Sequence, residues 1–244
     1  MEATPRLRSL YVEPDRPKQD SEPPALELID VFKIFRSGST ETVALRGLDL
    51  KVEPREMVAV VGPSGSGKST MLSVAAAMDV PSAGEVRVDG RSLARLDELE
   101  LARVRATEMA VVFQSDNLWP TLSARENVAI SVSLAGLDRN PSEAAEETLA
   151  IFGLERRAAN TPDRLSGGEQ QRVAIAAAAA RRPRIVLADE PTGELDAENE
   201  SIVLQTLRML RDTYQSAVVL ITHSAAVADG CDRVIELADG RAVR

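Results

Sequence analysis

The sequence predicts an α/β protein built on a mostly parallel β-sheet, with helices covering both faces. Two observations lead to this prediction. Short, continuous apolar runs recur along the chain, and such runs are typical of strands buried on both faces. Segments with helical spacing of apolar residues separate them, and buried strands that alternate with helices build parallel sheets. The runs are MVAVVG (57–62), MAVVFQ (109–114), RIVLADE (184–190) and AVVLIT (217–222).

The chain begins with a segment, residues 1–24, that we predict to be a disordered tail. It holds five of the thirteen prolines and nine charged residues. Such a segment buries too little apolar surface to offset the entropy lost on ordering. Ordered structure is expected to begin with a strand near LELIDVFKIF (26–35). An alternating strand at TVALRGLDLKV (42–52) and a strand at GEVRVDG (84–90), closed by an Asp-Gly turn, are expected to follow.

Helices are predicted between these strands. One opens at Ser69, directly after a glycine-rich loop, and another begins near residues 140–147, where Pro141 suits a first helical turn. A third follows Gly168. A fourth carries an apolar stripe at helical spacing, formed by Ile202, Val203, Leu207 and Leu210. Residues 115–164 show no strand pattern, so we expect this stretch to be a helical insertion into the α/β core.

Composition and charge narrow the possible functions. The 244 residues are 44% hydrophobic and 27% charged, an ordinary mix for a globular domain. The net charge of −9 opposes binding to nucleic-acid phosphates, so no nucleic-acid partner is expected. The single cysteine, Cys231, excludes an internal disulfide and is interpreted as a small buried hydrophobe. No apolar run approaches the roughly 18 residues of a membrane span, so any action at a membrane requires a partner there.

A phosphate-binding loop occupies residues 62–70. GPSGSGKS fits the pattern G-x-x-x-x-G-K-[ST], and it follows a buried strand and opens a helix, as this motif requires. The glycines let the backbone N–H groups converge on phosphate, Lys68 neutralises phosphate charge, and the Ser69 hydroxyl suits Mg²⁺. The predicted nucleotide contacts in this loop are Gly62, Ser64, Gly65, Ser66, Gly67, Lys68, Ser69 and Thr70.

Two adjacent carboxylates emerge where the strand at 184–190 ends. Ligands of open α/β sheets bind at the carboxyl ends of strands. Asp189 is therefore placed to hold Mg²⁺ through water. Glu190, one residue further, is predicted to be the general base that activates the attacking water. Solvated carboxylates without a role are the alternative, which the phosphate loop at the same sheet edge disfavours.

Gln114 and His223 follow two more of the predicted strands. The neutral amide of Gln114 can contact Mg²⁺ or position water, and an exposed loop residue is the alternative. His223 is the only histidine, and we place it at the end of the last core strand. A lone histidine is usually structural, but at this edge its side chain can hydrogen-bond a γ-phosphate oxygen. The predicted catalytic residues are Glu190, His223, Gln114 and Lys68, and the predicted metal ligands are Ser69, Gln114 and Asp189.

A second anion-binding motif lies at RLSGGEQQR (164–172). Free backbone N–H groups at a helix N-terminus, beside a serine hydroxyl, bind anions. The motif follows the helical insertion and is expected to lie away from the phosphate loop. A motif that cannot reach its own nucleotide must serve another molecule's. We therefore predict a head-to-tail dimer in which Ser166 and the Gly168 N–H contact the partner's γ-phosphate, so that nucleotide binding and assembly are linked.

Together these motifs resemble the ABC-type ATPases, and LSGGEQQR is highly specific to them. LADEPTGELD and FQSDNLWPTLSARENV are most similar to the ATPases of lipoprotein-releasing and macrolide-efflux exporters. The resemblance spans residues 26–244. It is carried by the phosphate loop Gly62–Thr70, Gln114, LSGGEQQR, the strand Ile185–Glu190, the GELD stretch Gly193–Asp196 and His223.

This resemblance implies that the protein uses ATP and Mg²⁺ as cofactors. It also implies a particular fold and site residues beyond those predicted from the motifs. The implied fold is a RecA-like P-loop core with an antiparallel β subdomain near the N-terminus and an inserted helical subdomain. It implies that Phe35 stacks on adenine, a core-strand aromatic being the alternative, and that Asp196 lies at the dimer seam. The contacts to the partner's nucleotide become Ser166, Gly167, Gly168 and Glu169. The implied ATPase domain is 25–244, with its core at 25–114 and 165–244 and the helical subdomain at 115–164.

Two positions depart from the family pattern. Arg55 stands where glycine is common, so the turn before the phosphate-loop strand is expected to differ. IAAAAARR (175–182) lacks an arginine that the family usually has there. Neither position is catalytic, but both weaken any transfer of substrate identity.

Three functions remain open at this stage. The leading one is the ATP-hydrolysing subunit of a transporter, at the cytoplasmic face of the membrane, where two copies close around two ATP molecules and drive a separate transmembrane subunit in export or extraction. The second is a mechanical subunit that regulates an extracytoplasmic enzyme through a membrane partner without transport. The third, a DNA-repair or translation protein, needs a long coiled-coil insertion or two tandem cassettes, and the chain shows neither.

The stretch SDNLWPTLSARENV (115–128) is the predicted contact for the transmembrane subunit. Several of its residues are apolar yet lie in a predicted loop, where apolar groups indicate a partner surface. The alternative is that Trp119 packs inside the helical subdomain. The apolar residues are Leu118, Trp119, Pro120 and Leu122.

Overall fold

The computed structural model describes residues 22–38 and 40–243. The predicted disordered tail, 1–24, lies outside these residues except for 22–24. The strands are β1 Leu26–Ser37, β2 Thr40–Val52, β3 Met57–Val61, β4 Ala83–Val88, β5 Arg91–Ser92, β6 Met109–Val112, β7 Ile185–Asp189, β8 Ala217–Ile221, β9 Arg233–Ala238 and β10 Arg241–Ala242. The α-helices are α1 Lys68–Ala75, α2 Glu98–Thr107, α3 Ala124–Leu134, α4 Pro141–Ile151, α5 Gly167–Ala179, α6 Ala197–Tyr214 and α7 Ala225–Asp229. Short 3₁₀ helices cover Glu155–Arg157 and Pro162–Arg164.

The central sheet has the strand order β10-β9-β3-β8-β7-β6 and is parallel except for β10. All four continuous apolar runs are strands of this sheet, as predicted. Along β3, Met57 and Ala59 enter one hydrophobic core, and Val58 and Val60 enter the other. This two-sided burial explains why the sequence of β3 is continuously apolar rather than alternating.

One detail of the sheet differs from the prediction. β8 is not the last core strand, because β9 pairs in parallel with β3 and β10 closes a hairpin against β9. β9 has the burial pattern of a half-exposed strand, with Ile235 and Leu237 buried. Its charged residues interrupt the apolar run that identified the other strands.

A second, antiparallel sheet near the N-terminus has the order β2-β1-β4-β5. The predicted Asp-Gly turn joins β4 to β5, and Asp89 and Gly90 both have positive φ, at 51° and 74°. This combination is that of a type I′ hairpin turn. The buried side chains of β1, β2 and β4 share a core with α1 and with one face of the parallel sheet. The fold is therefore the α/β P-loop fold that was predicted.

Helices cover the other face of the parallel sheet. Residues 115–164, all of which the structure describes, contain α3, α4 and the two 3₁₀ helices and no strand. α3 begins with a reciprocal capping box between Ser123 and Glu126, and α4 begins at Pro141 after the Asn140 cap. Both helices pack on α5.

Cys231 is half-buried against the hydrophobic core on this face of the sheet, and burial raises the pKa of its thiol to about 11.

In the turn before β3, Arg55 adopts a backbone conformation that favours glycine, and whether the turn differs from the family's stays a prediction. Arg55 is exposed and has a φ of 63°, in the left-handed region. An L-residue other than glycine pays a steric penalty there. Arg55 therefore holds the turn at an energetic cost that glycine would not have.

We predict that Arg55→Gly stabilises the protein by about 1 kcal/mol, because glycine removes the steric cost of positive φ. Urea unfolding followed by circular dichroism measures this change. Arg103→Gly is the matched control, since Arg103 is exposed but lies inside α2, where glycine costs about 1 kcal/mol. A lower unfolding midpoint for Arg55→Gly than for the unchanged protein would contradict the prediction.

Candidate functional site

A cleft of about 580 Å³ opens at the carboxyl edge of the parallel sheet. It forms there because the loops after β3, β6, β7 and β8 leave the sheet at one edge. All of the catalytic residues and metal ligands predicted from the sequence line this cleft. Its lining consists of Thr42, Val43, Ala44, Ser64, Gly65, Gly67, Lys68, Ser69, Thr70, Phe113, Gln114, Ser115, Asp189, Glu190, Ile221 and His223.

The phosphate loop owes its path to its glycines. Gly62 and Gly67 have φ values of 145° and 104°. A Cβ on Gly62 would lie 2.1 Å from the carbonyl oxygen of Leu237, and a Cβ on Gly67 would lie 2.6 Å from that of Ala44. Any side chain at these two positions would push the loop away from β9 and β2. Gly67 also forms the N-cap of α1, whose free N–H groups face the loop.

Lys68 lies across the loop that precedes it. Its ammonium donates to the carbonyl oxygens of Gly62, at 2.8 Å, and Pro63, at 3.0 Å, and the residue is only 7% exposed. Ser66 is also buried, and its backbone carbonyl accepts the Gly240 N–H at 2.9 Å. The phosphate loop is thus fixed to the β9–β10 hairpin, and Lys68 is held beside the curled backbone.

Asp189 and Ser69 form a pair of oxygen donors next to Lys68. Burial raises the pKa of Asp189 above its ordinary value, while a hydrogen bond from the Ser69 hydroxyl and the charge of Lys68 oppose that rise. A carboxylate and a hydroxyl side by side are ligands that Mg²⁺ prefers. The residues present therefore fit a magnesium ion.

Glu190 contacts His223 directly. Nε2 of His223 lies 2.9 Å from Oε1 of Glu190, with the histidine side chain 57% and the glutamate side chain 20% exposed. Glu190 has a φ of 49°, a conformation that costs a non-glycine residue energy and that occurs often at functional sites. Its backbone is fixed on both sides, because its N–H donates to Ile221 and its carbonyl accepts from Gly193. The carboxylate is therefore aimed into the cleft from a rigid turn.

Gln114 lines the cleft and also lies against the loop after β7. A Cβ on Gly193 would be 2.8 Å from the Gln114 amide nitrogen, so only glycine lets the two segments approach this closely. Gln114 is exposed. Its amide is free to reach a ligand in the cleft, and its role toward a metal stays a prediction.

The residues of the second motif do not line the cleft. Ser166 is the N-cap of α5, where its hydroxyl accepts the Glu169 N–H at 3.2 Å and its own N–H donates to Glu169 at 2.9 Å. This bond to the Ser166 N–H, with help from Arg157, holds the pKa of Glu169 below its ordinary value. α5 begins at Gly167, two residues earlier than predicted, because this capping box sets the helix start.

Close packing against Asn199 explains why the second motif has glycine at position 168. A Cβ on Gly168 would lie 2.5 Å from the Asn199 side-chain oxygen. Asn199 is fixed by Asp196, which caps α6 and accepts the Asn199 N–H at 2.8 Å. Asp196 thus caps a helix within its own subunit, and its place at a dimer seam stays a prediction.

Phe35 lies at the rim of the cleft rather than in its lining. It is 45% exposed, which excludes the alternative of a core-strand aromatic. In the β1–β2 register it lies opposite Thr42, a residue of the cleft wall, so the two side chains share one face of the sheet. The Lys33 ammonium sits 5.1 Å from the Phe35 ring centroid and is held there by Asp79 at 2.6 Å.

Part of the site could not be found from local motifs. Thr42, Val43 and Ala44 form a cleft wall because the antiparallel sheet packs beside α1, and no local pattern indicates that. Phe113 and Ser115 flank Gln114, and their adjacency to it was the available signal. Gln171 lies within the second motif and has no predicted role, although its side-chain nitrogen donates to the Phe113 carbonyl.

A phosphate loop followed by carboxylates at a neighbouring strand end defines a P-loop nucleotide-hydrolysing protein. The chain belongs to the ABC transporter family, whose model matches residues 45–193. This confirms the resemblance drawn from the motifs, and the chain is an ATP-binding ATPase.

Curated relatives carry the names that the motifs indicated. The lipoprotein-releasing system ATP-binding protein LolD 2 of Caulobacter vibrioides is 42% identical over 218 residues, which cover 89% of this chain and 96% of that protein. The macrolide export ATP-binding/permease protein MacB of Azoarcus sp. is 44% identical over 221 residues, which cover 90% of this chain and 34% of that protein. The chain thus spans about a third of the length of the MacB protein.

A solved structure supports the fold. The dimeric, post-hydrolysis ATP-binding cassette MJ0796, bound to ADP and Pi, superposes with a TM-score of 0.81 at 39% identity, over 90% of this chain and 97% of that one. Within residues 22–38 and 40–243, every helix is too short or too polar to cross a bilayer.

Proposed function

We propose that this chain is the nucleotide-binding subunit of an ABC transporter, bound to the cytoplasmic face of the membrane, where it drives a separate transmembrane permease in export or extraction of a substrate. The observation that carries the proposal is the separation of two phosphate-binding motifs. The phosphate loop lines the cleft, and Ser166 with its flanking glycines lies outside it. A second copy, placed head to tail, brings the outlying motif to the partner's nucleotide, in line with the dimeric cassette to which the chain is similar.

In this proposal each residue of the cleft has a distinct task. Lys68 and the N–H groups of the phosphate loop bind the β- and γ-phosphates. Glu190 accepts a proton from the attacking water at its carboxylate, and His223 beside it donates a hydrogen bond to a γ-phosphate oxygen. Gln114 positions the water. Ser69 and Asp189 would hold Mg²⁺, which supplies charge neutralisation on the phosphates when it is bound.

The domain division belongs to the same proposal. We place the ATPase domain at 25–244, its core at 25–114 and 165–244, and a helical subdomain at 115–164. The position of α3 and α4 between β6 and the second motif supports this division. In this division Ser166 begins the second part of the core, directly after the helical subdomain that would follow the permease.

The stretch 115–128 has the properties of a docking surface. Trp119 is 59% exposed, which argues against packing inside the helical region. Asn127 is buried and fixes the loop: it accepts the Trp119 N–H at 2.7 Å and donates to the carbonyls of Trp119, Leu122 and Ser123. Leu118, in contrast, packs partly on the helical core. Trp119 is therefore the residue to change when docking is tested.

We predict that Trp119→Glu abolishes co-purification with the membrane partner and its stimulation of ATP hydrolysis, because a charge replaces the exposed apolar contact. The basal ATPase activity of the isolated subunit should stay within about twofold, since Trp119 lies outside the cleft. The measurement is affinity purification of the tagged chain from native membranes, identification of the co-purifying membrane protein, and ATPase assays of the complex.

Leu134→Glu is the matched control for this experiment. Leu134 is apolar and 72% exposed, but it lies at the far end of α3. It should retain the partner. If Trp119→Glu co-purifies with the partner as well as Leu134→Glu does, docking occurs elsewhere. If no membrane protein accompanies the unchanged chain, the transporter proposal itself fails.

A further inference from the structure

A cluster of amides binds α5 to the end of β6. Gln171 is only 6% exposed, and its side-chain nitrogen donates to the Phe113 carbonyl at 2.8 Å. Asn117 donates to the same carbonyl at 2.7 Å, accepts the Phe113 N–H at 2.8 Å, and donates to the Gln171 side-chain oxygen at 3.3 Å. Both backbone groups of Phe113 are thus satisfied by two side chains, one of them from a helix 58 residues away in the sequence.

The amide cluster lies between Gln114, which lines the cleft, and the helix that begins after Ser166. Phe113 is the first residue beyond β6, where the chain leaves the sheet and its backbone groups lose their ladder partners. The next residue is Gln114, which lines the cleft. On the other side, Gln171 lies on α5 five residues after the Ser166 cap, a distance of about 7.5 Å along the helix.

The amide cluster therefore joins two groups that act on different nucleotides. In the proposed dimer, Gln114 faces the nucleotide of its own subunit, and Ser166 faces the nucleotide of the partner subunit. One hydrogen bond of Gln171 connects the Phe113 backbone, beside Gln114, to the helix that carries Ser166, and a second is accepted from the Asn117 side chain. A displacement of Gln114 would be transmitted to Ser166 through a contiguous set of contacts.

We propose that Gln171, together with Asn117, is a positioning residue that couples the two nucleotide sites of the dimer. It holds Gln114 and Ser166 in a fixed relation, so that nucleotide bound at one site prepares the loop that serves the other. This inference rests on the proposed function. Gln171 itself does not line the cleft, so its effect should appear in cooperativity and turnover rather than in nucleotide affinity.

The test replaces Gln171 by Met, which has similar length and helix propensity but cannot make these hydrogen bonds. Asn117 still satisfies the Phe113 carbonyl in this variant, so the fold should persist. Gln205→Met is the matched control, because Gln205 is an exposed glutamine on α6. The measurements are the Hill coefficient and kcat of ATP hydrolysis, the ATP Kd of the isolated chain, and the thermal midpoint.

For Gln171→Met we expect a Hill coefficient that falls from above 1 to about 1, a kcat about tenfold lower, and an ATP Kd within twofold of the unchanged chain. Gln205→Met should match the unchanged chain in all of these. If Gln171→Met does not fold, Asn117→Ala removes the bond to the Gln171 side-chain oxygen and both Asn117 bonds to the Phe113 backbone, from a half-buried loop position. It leaves the Gln171 bond to Phe113 and should therefore show the same pattern to a smaller extent.

Several results would overturn the inference. One is a folded Gln171→Met protein with unchanged Hill coefficient and kcat. Another is an unchanged chain that hydrolyses ATP without cooperativity. A parallel loss of kcat and of ATP affinity would assign Gln171 a merely structural role. A chain without any ATP hydrolysis, in contrast, would refute the proposed function and this inference together, so the two failures are distinguishable.

Discussion

Replacing Glu190 with Gln should lower ATP turnover by about 10²–10⁴-fold, the contribution that a positioned general base usually makes, while ATP binding survives. The substitution keeps the shape of the side chain and its hydrogen-bonding reach to His223, but an amide cannot accept the proton of the attacking water. The backbone at this position stays fixed by its bonds to Ile221 and Gly193. The loss should therefore be chemical rather than conformational.

The measurement is kcat under saturating ATP, with ATP affinity determined separately by titration. Glu236→Gln is a suitable control, because it makes the same change of charge at an exposed position of β9. This control should keep its turnover. If Glu190→Gln retains more than about a third of the original kcat, Glu190 does not act as a general base, since such a residual rate is far above that left by loss of one.

The sequence identified the strands whose two faces are both buried. The run Met57–Val61 is apolar without interruption because alternate residues enter two different cores. The sequence does not predict β9, because the exposed charged residues Arg233 and Glu236 interrupt its apolar run. The sequence does not predict α2 for a similar reason. Its buried residue is Val104, so α2 lacks the stripe of apolar residues at helical spacing that indicates a helix.

In the candidate site, too, some residues could be predicted from the sequence and others depend on how distant segments pack. The phosphate loop, Asp189 and Glu190 belong to short contiguous motifs, so their roles could be predicted from neighbouring residues. The contact of Gln171 with Phe113 depends on how α5 packs against β6, and no local pattern reports it. The steric need for Gly168 likewise arises from Asn199, on another helix. The capping box at Ser166 was available in the sequence as S-x-x-E, and it explains where α5 begins.

Mixing two inactive variants should restore ATP hydrolysis if the two phosphate-binding motifs serve different nucleotides. Lys68→Ala removes the cation of the cleft, and Ser166→Arg blocks the loop outside it. Each variant alone has no intact site. In a mixed dimer, the cleft of the Ser166→Arg chain meets the Ser166 of the Lys68→Ala chain, and one complete site forms. Ser166→Arg also removes a helix cap, at a cost of about 1 kcal/mol.

An equal mixture should regain up to about a quarter of the original activity, because random pairing makes half of the dimers mixed and each has one of two sites intact. As a control, Lys68→Ala is mixed with a chain that carries both substitutions, a pair that cannot form an intact site and should stay inactive. ATP-dependent dimerisation of Glu190→Gln protein in the presence of the membrane partner, followed by light scattering, reports the same assembly without turnover. If activity does not return and Glu190→Gln stays monomeric with ATP, Ser166 does not serve a partner's nucleotide, and the separation of the two motifs requires another explanation.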